Sequence, residues 1–125
     1  MSGAGTQRWC LALDLRDDPA LIAEYCRLHE AIWPEIADSI RRAGITGMEI
    51  WRTGNRLFMV METEGTFDAA AKAAADGSNV KVQEWEALMW RFQQPLPWAD
   101  PGQKWVPMER VFALDGADGP ALPRS

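Results

Sequence analysis

Two strand-like runs in the middle of the chain, residues 45–52 and 56–63, constrain the fold more than any other feature. Their sequences are ITGMEIWR and RLFMVMET, rich in the apolar and β-branched residues that strands favour. Only Thr53, Gly54 and Asn55 separate the two runs, and a short connection that contains Gly and Asn is typical of a β-hairpin. The sequence therefore predicts a central pair of antiparallel strands.

A strand and a long helix are predicted before this hairpin. Residues 7–15 read QRWCLALDL, in which alternate positions are apolar, as expected of a half-buried strand. Over residues 19–43 the apolar residues recur at helical spacing, with Asp17 or Asp18 as the N-cap and Gly44 as the stop. Within that range, a proline at position 34 should bend the helix or make it restart near position 33, because it lacks an amide hydrogen and clashes with the preceding turn.

Four further segments follow the hairpin. A helix opened by a threonine cap is predicted over residues 66–76, and a second helical piece over residues 80–92. Residues 93–103 contain three prolines and a glycine and are predicted to be irregular. A last strand is predicted over residues 104–114, where Pro107 indicates a sheet edge or a bulge.

The order β-α-β, β-α-β predicts an α+β protein: a ferredoxin-like split βαβ fold, with an antiparallel sheet and helices on one face. We expect a single domain over residues 1–114 and a flexible C-terminal tail over residues 115–125. The other sheet face needs a cover, and a second copy of the chain would provide it, so the prediction is a homodimer. The side chains expected on that uncovered face are Trp9, Trp51, Met59 and Met61.

Composition excludes several classes of partner. The formal net charge of the 125 residues is -5, whereas binding to a nucleic-acid backbone needs a basic face. No apolar run approaches the roughly 18 residues that cross a membrane, and the first residues lack the profile of a secretory signal. Cys10 and Cys26 lack metal-ligand spacing and are interpreted as reduced thiols. We therefore predict a cytoplasmic protein with no nucleic-acid or membrane partner.

The single histidine, His29, follows Tyr25 by one helical turn, so the two side chains share one helix face. A transition metal normally needs two or three nitrogen or sulfur ligands, so no metal is expected. A nucleophilic role is weakly supported, since no serine or cysteine lies in a recognisable elbow. General acid–base chemistry remains, because imidazole exchanges protons near neutral pH. The alternative is a histidine with a purely structural role.

Four segments together resemble the L-rhamnose mutarotase family: the run Tyr25-x-x-x-His29-x-x-Ile32-Trp33-Pro34-Glu35, the hairpin near ITGMEIW, the segment VQEWEALM and the closing MERVFAL. The resemblance covers roughly residues 7–114. It implies a dimeric α/β-barrel that interconverts the α and β anomers of a 6-deoxy sugar without a cofactor. By position, His29 is similar to the proton donor of that family and Tyr25 to a sugar contact.

Two departures from the family pattern concern the sugar. Met48 stands where the rhamnose enzymes carry a sugar-contacting tyrosine, and Trp85-Glu86 stands where they carry two adjacent tryptophans. By this resemblance Trp85 stacks on the sugar and Glu86 holds its hydroxyls. Because a buried carboxylate left without a partner by the wrong isomer is costly, we expect L-fucose to be favoured over L-rhamnose.

Several alternatives remain open from sequence. The protein could be an L-rhamnose mutarotase, a dimeric sugar-binding module of the same fold without activity, or an oxygen-dependent monooxygenase of related architecture. Glu49 or Glu109 is the candidate for a second acid–base group. Trp33 and Pro34 either turn His29 toward a cavity or serve as a core anchor and the start of a second helix.

Overall fold

Residues 5–114 are described by the structure, a computed structural model, so the predicted tail over residues 115–125 lies outside the described part. No helix within the described range is long and apolar enough to cross a membrane. The elements are, in chain order, β1 (Thr6–Leu15), α1 (Pro19–Leu28), α2 (Pro34–Arg42), β2 (Ile45–Thr53), β3 (Arg56–Glu64), α3 (Ala69–Gly77), α4 (Val80–Trp90), β4 (Gln93–Gln94) and β5 (Val106–Pro107).

The strands form one antiparallel sheet in the order β2-β3-β1-β4, with β5 also paired to β1. The central hairpin of β2 and β3 forms as predicted, and β3 lies between β2 and β1. A strand inserted between two strands of a crossover unit is the defining feature of the split βαβ arrangement. The predicted ferredoxin-like α+β fold is therefore confirmed.

Three helices pack on one face of this sheet. The buried core joins Leu15 and Leu57 of the sheet to Tyr25 of α1, Ile36 of α2 and Trp85 of α4. Because these residues come from both layers and form one cluster, burial of apolar area is what holds α1, α2 and α4 on the sheet.

The sheet register corrects the predicted assignment of the two faces. Side chains of neighbouring strands at paired positions share a face, and Leu11 lies opposite Met59 while Trp9 lies opposite Met61. Since Met59 is two residues from the core residue Leu57, these side chains lie under the helices. The prediction that Trp9, Met59 and Met61 belong to the uncovered face was wrong, because the strand was assigned to the opposite face. The prediction holds for Trp51, which lies opposite Phe58 on the other face of the sheet and is 62% exposed.

The long helix restarts where the proline pattern predicts. Helix α1 begins after Asp18, whose side chain accepts hydrogen bonds from the first turn, and ends at Leu28 with His29 as its C-cap. Helix α2 begins with Pro34 at its first position, after Trp33 in an extended conformation. Gly44 then ends the helical segment with a φ of 92°, a conformation in which glycine is favoured.

Three predictions in the second half of the chain were wrong. Helix α3 is capped by Asp68, whose carboxylate accepts from the amides of the first turn, and not by Thr66. Two residues of the segment 93–103, predicted to be irregular, form β4. The strand predicted over residues 104–114 is reduced to the two residues of β5. Part of the edge of β1 that β5 pairs with is taken by β4, and a proline in β5 donates no hydrogen bond to the neighbouring strand.

Candidate active site

A cavity of about 110 Å³ lies between the helices and the sheet. The five side chains that the family resemblance places in the site all line it: Tyr25, His29, Met48, Trp85 and Glu86. They come from α1, its C-cap, β2 and α4, so the sheet and two helices bring them together. The remaining lining residues are Ile32, Ile36, Ile50, Met59, Met89, Gln93, Lys104 and Trp105.

A wider groove of about 730 Å³ runs between α2, α3 and α4. Its wall combines alanines with surface polar side chains, among them Lys72 and Asp76, which form an ion pair. None of the five predicted site residues lines it. The smaller cavity, which does contain the histidine, is therefore the candidate active site.

The His29 ring is oriented by the end of its own helix. Its Nδ1 lies 2.9 Å from the backbone carbonyl oxygen of Tyr25. A carbonyl oxygen only accepts, so Nδ1 carries the hydrogen and, in the neutral ring, Nε2 keeps a free lone pair. Burial lowers the pKa of His29 below its usual 6.5, and the hydrogen bond to the carbonyl acts in the opposite direction. At neutral pH His29 can therefore accept a proton at Nε2, and it can act as the donor that the resemblance implies only after taking up that proton.

The Tyr25 side chain is only 3% exposed, and its ring centroid lies 4.2 Å from that of His29. Burial raises the pKa of Tyr25 to about 12, while a hydrogen bond with the side chain of Gln93 acts against this increase. The phenol consequently keeps its proton at neutral pH. Tyr25 can donate a hydrogen bond or orient a ligand, but it is not a base.

A tryptophan pair forms the next wall of the cavity. The ring of Trp85 meets the His29 ring edge-on at 5.5 Å and the Trp33 ring edge-on at 5.1 Å between centroids. Both contacts have the geometry that aromatic pairs prefer. The two hypotheses for the Trp33-Pro34 pair are compatible: Trp33 is half-buried against the core and Pro34 starts α2, as the second predicts, and His29 lines a cavity, in agreement with the first.

An ion pair closes another side of the cavity. Glu86 of α4 accepts a hydrogen bond from the ammonium group of Lys104, whose side chain is 15% exposed and whose Nζ lies 4.7 Å from the centroid of the Trp90 ring. Sequence reasoning missed Lys104, because it was assigned to the start of a predicted strand and its contact with Glu86, 18 residues earlier, follows from no local pattern. The pair places a carboxylate and a proton-bearing cation beside the histidine.

The two carboxylates proposed from sequence as a second acid–base group lie elsewhere. Glu49 accepts a hydrogen bond from Nε1 of Trp51 at 3.0 Å, on the sheet face away from the helices. Glu109 is exposed beyond β5. Neither lines the cavity of His29, so the geometry does not support that role for either residue. Within residues 5–114, no three His, Cys, Asp or Glu side chains are grouped where a metal could bind.

The fold and the cavity define a small α+β protein whose site is built on one histidine and an aromatic wall. The sequence pattern of L-rhamnose mutarotases matches residues 8–114. An L-fucose mutarotase from Xanthomonas campestris pv. campestris is 51% identical over 113 residues, which cover 89% of this chain and 90% of that protein. An L-rhamnose mutarotase from Burkholderia orbicola is 32% identical over 107 residues, which cover 84% of this chain and 97% of that protein. The chain therefore belongs to the L-rhamnose mutarotase family, as its sequence predicts.

A solved structure supports the fold. The crystal structure of an L-rhamnose mutarotase from Formosa agariphila superposes with a TM-score of 0.64 and covers 86% of this chain and 98% of that one. The two sequences are 22% identical in the alignment. At that level the likeness establishes the shared architecture.

Proposed function

We propose that this protein is a mutarotase that interconverts the α and β anomers of a 6-deoxy-L-sugar, with L-fucose preferred over L-rhamnose. The observation that carries the proposal is a neutral His29 whose Nδ1 is held by a carbonyl and whose ring lines a cavity together with Tyr25. The 51% identity to a protein named L-fucose mutarotase also supports it.

The proposed reaction needs only proton transfers. Nε2 of His29 takes the proton of the anomeric hydroxyl while the bond between C1 and the ring oxygen breaks, and the ring oxygen takes up a proton. Two groups that line the cavity can supply this proton: the Tyr25 hydroxyl, which its raised pKa keeps protonated at neutral pH, and the Lys104 ammonium. The free aldehyde rotates, and the hydroxyl formed from the ring oxygen attacks the other face of C1, re-forming the bond and returning its proton to the group that supplied it. His29 returns its proton to the former carbonyl oxygen, so both groups end in their starting states.

The sugar preference is assigned to Met48 and Glu86. L-Fucose and L-rhamnose differ in configuration at C2 and C4, so a site separates them only where it contacts those hydroxyls. Glu86 keeps its ion pair with Lys104 and its side chain is 45% exposed, so an isomer whose hydroxyl does not reach the carboxylate loses one hydrogen bond and leaves no buried charge unpaired. Trp85 offers the flat apolar surface on which the C–H face of a sugar ring packs.

Anomer exchange measured by saturation-transfer NMR tests the proposal. With catalytic amounts of protein, exchange of L-fucose should exceed the spontaneous rate in buffer by about tenfold or more, and it should exceed the exchange of L-rhamnose and of D-galactose. If no sugar exchanges faster than in buffer, the enzyme proposal is lost. Chemical-shift changes on adding L-fucose without faster exchange would instead favour the sugar-binding module.

The pH dependence of exchange should follow His29. The proposed base is active when neutral, and burial lowers the pKa of His29, so the catalysed rate should be constant above 6.5 and fall with a midpoint below 6.5. The measurement is the catalysed rate constant against pH after subtraction of the buffer rate. A midpoint above 6.5 would contradict the proposed environment of the ring.

A homodimer in solution is proposed from exposed apolar side chains. Trp51 on the uncovered sheet face is 62% exposed, and the C-terminal segment carries Val111, Phe112 and Leu114 with exposures of 93%, 76% and 86%. Apolar surface of this kind marks an interaction site.

Sedimentation should give twice the chain mass of 14.0 kDa. Trp51→Glu should give the monomer mass, whereas Val80→Glu, on a helix, should not; a wild-type monomer would contradict the proposal.

The proposed location is the cytoplasm. The two cysteines, Cys10 and Cys26, are free in the structure, and that compartment keeps thiols reduced.

A further inference from the structure

Among the buried side-chain nitrogen and oxygen atoms in the described part of the chain, one has no hydrogen-bond partner. It is Oε1, the side-chain carbonyl oxygen of Gln93. The residue is 3% exposed, so water does not reach it from bulk solvent. A buried acceptor without a donor destabilises a fold, and proteins rarely keep one unless something else meets it.

Both the backbone and the side chain of Gln93 have defined neighbours. Its backbone lies opposite Leu15 as the first residue of β4, directly after the buried Phe92. Its side chain lines the cavity that also holds His29 and Glu86. The residue that carries the acceptor without a partner is therefore in the wall of the candidate active site.

The side chain of Gln93 also acts on Tyr25. A hydrogen bond between the two side chains opposes the rise in the tyrosine pKa that burial causes. Gln93 therefore belongs to the same group of cavity side chains as Tyr25 and His29.

We propose that Gln93 is a specificity-determining residue whose Oε1 accepts a hydrogen bond from one hydroxyl of the bound sugar. This inference rests on the proposed sugar site and adds a residue to it. An acceptor recognises a hydroxyl and not a methyl or a C–H group, so the contacted part of the sugar is polar. A sugar that lacks the hydroxyl, or carries it in the other configuration, leaves Oε1 without a donor.

The test pairs variants of the protein with variants of the sugar. Gln93→Met keeps the length of the side chain and removes the acceptor, and Gln94→Met is the matched control, since Gln94 is the exposed neighbour in the same strand. Binding of L-fucose and of its 2-deoxy, 3-deoxy and 4-deoxy analogues is measured by calorimetry. Gln93→Met should bind L-fucose about 10- to 100-fold more weakly than wild type, and Gln94→Met should bind it equally well.

The decisive result is the pattern across the sugars. One analogue, the one without the contacted hydroxyl, should bind wild type and Gln93→Met with nearly the same affinity. An equal loss for all four sugars would assign Gln93 to holding Tyr25 alone and overturn the proposal. Unchanged binding of L-fucose by Gln93→Met would also overturn it, and would leave a water molecule as the partner of Oε1.

Two further measurements keep these outcomes separable. If Gln93→Met has a lowered melting temperature, Gln93→Glu is measured as well, because it keeps an oxygen acceptor at the same position. This variant should rank the four sugars by affinity in the same order as wild type. A changed order counts against the proposal. Binding is measured at equilibrium, so a wild type that binds L-fucose without exchanging its anomers removes the catalytic proposal and leaves this one standing. A wild type that binds none of the sugars overturns both.

Discussion

Replacing His29 with glutamine should lower the catalysed exchange of L-fucose anomers by a factor of about 10²–10⁴, the range that one positioned acid–base group contributes. The amide of glutamine can donate to the Tyr25 carbonyl, as Nδ1 of His29 does at 2.9 Å, but it takes up no proton at neutral pH. The substitution therefore keeps a hydrogen bond to the Tyr25 carbonyl and removes only the ability to take up a proton. Exchange is measured by saturation-transfer NMR.

His29→Ala completes this comparison by removing both the ring and its hydrogen bond. It should exchange the sugar no faster than His29→Gln, and L-fucose should still bind to both variants, because Trp85 and Glu86 remain in the cavity. A melting temperature within a few degrees of wild type shows that the fold is kept, as expected for a half-buried cap residue. Exchange by His29→Gln within about threefold of wild type would remove His29 from the mechanism.

Replacing Glu86 with leucine should lower kcat/KM for L-fucose by about 10- to 100-fold and bring the rates for L-fucose and L-rhamnose closer together. The carboxylate lines the cavity and is oriented by the ammonium of Lys104. Without it, the hydroxyl that it holds loses its acceptor and the Lys104 side chain is left without its carboxylate. The measurement is the exchange rate of each sugar over a range of concentrations.

Helix α4 provides a matched control for this substitution. Glu84 lies two residues earlier on the same helix and also pairs with a lysine, Lys81, but it does not line the cavity. Glu84→Leu should leave both rates within about twofold of wild type. If Glu86→Leu keeps the wild-type ratio of the two sugars, the carboxylate does not determine the preference.

Local sequence patterns predicted the elements that depend on local interactions. The hairpin, the N-cap at Asp18 and the restart at Pro34 follow from turn chemistry and capping, which act over a few residues. The face of β3 could not be fixed in the same way, because Met59 and Val60 are both apolar and alternation alone does not say which one faces the helices. The sheet register settles it.

The site was predictable only where its residues are close in sequence or resemble a family motif. Tyr25 and His29 lie one helical turn apart, so their contact follows from helix geometry. Gln93 and Lys104 flank a proline-rich segment without a period, and the pairing of β4 and β5 with β1 decides where that segment lies. No local rule encodes such a pairing, which is why both residues were missed.

The hydrogen bond between His29 and the last turn of its own helix has an evolutionary consequence. The nitrogen that carries the hydrogen in the neutral ring is set by a main-chain atom four residues earlier, and not by a side chain of the cavity wall. Under the proposed function, substitutions in α4, β4 or the segment around Lys104 would alter which sugar is accepted while His29 stays in place. Because different residues would set the sugar preference and the proton transfer, the preference could change during evolution while the reaction stays the same.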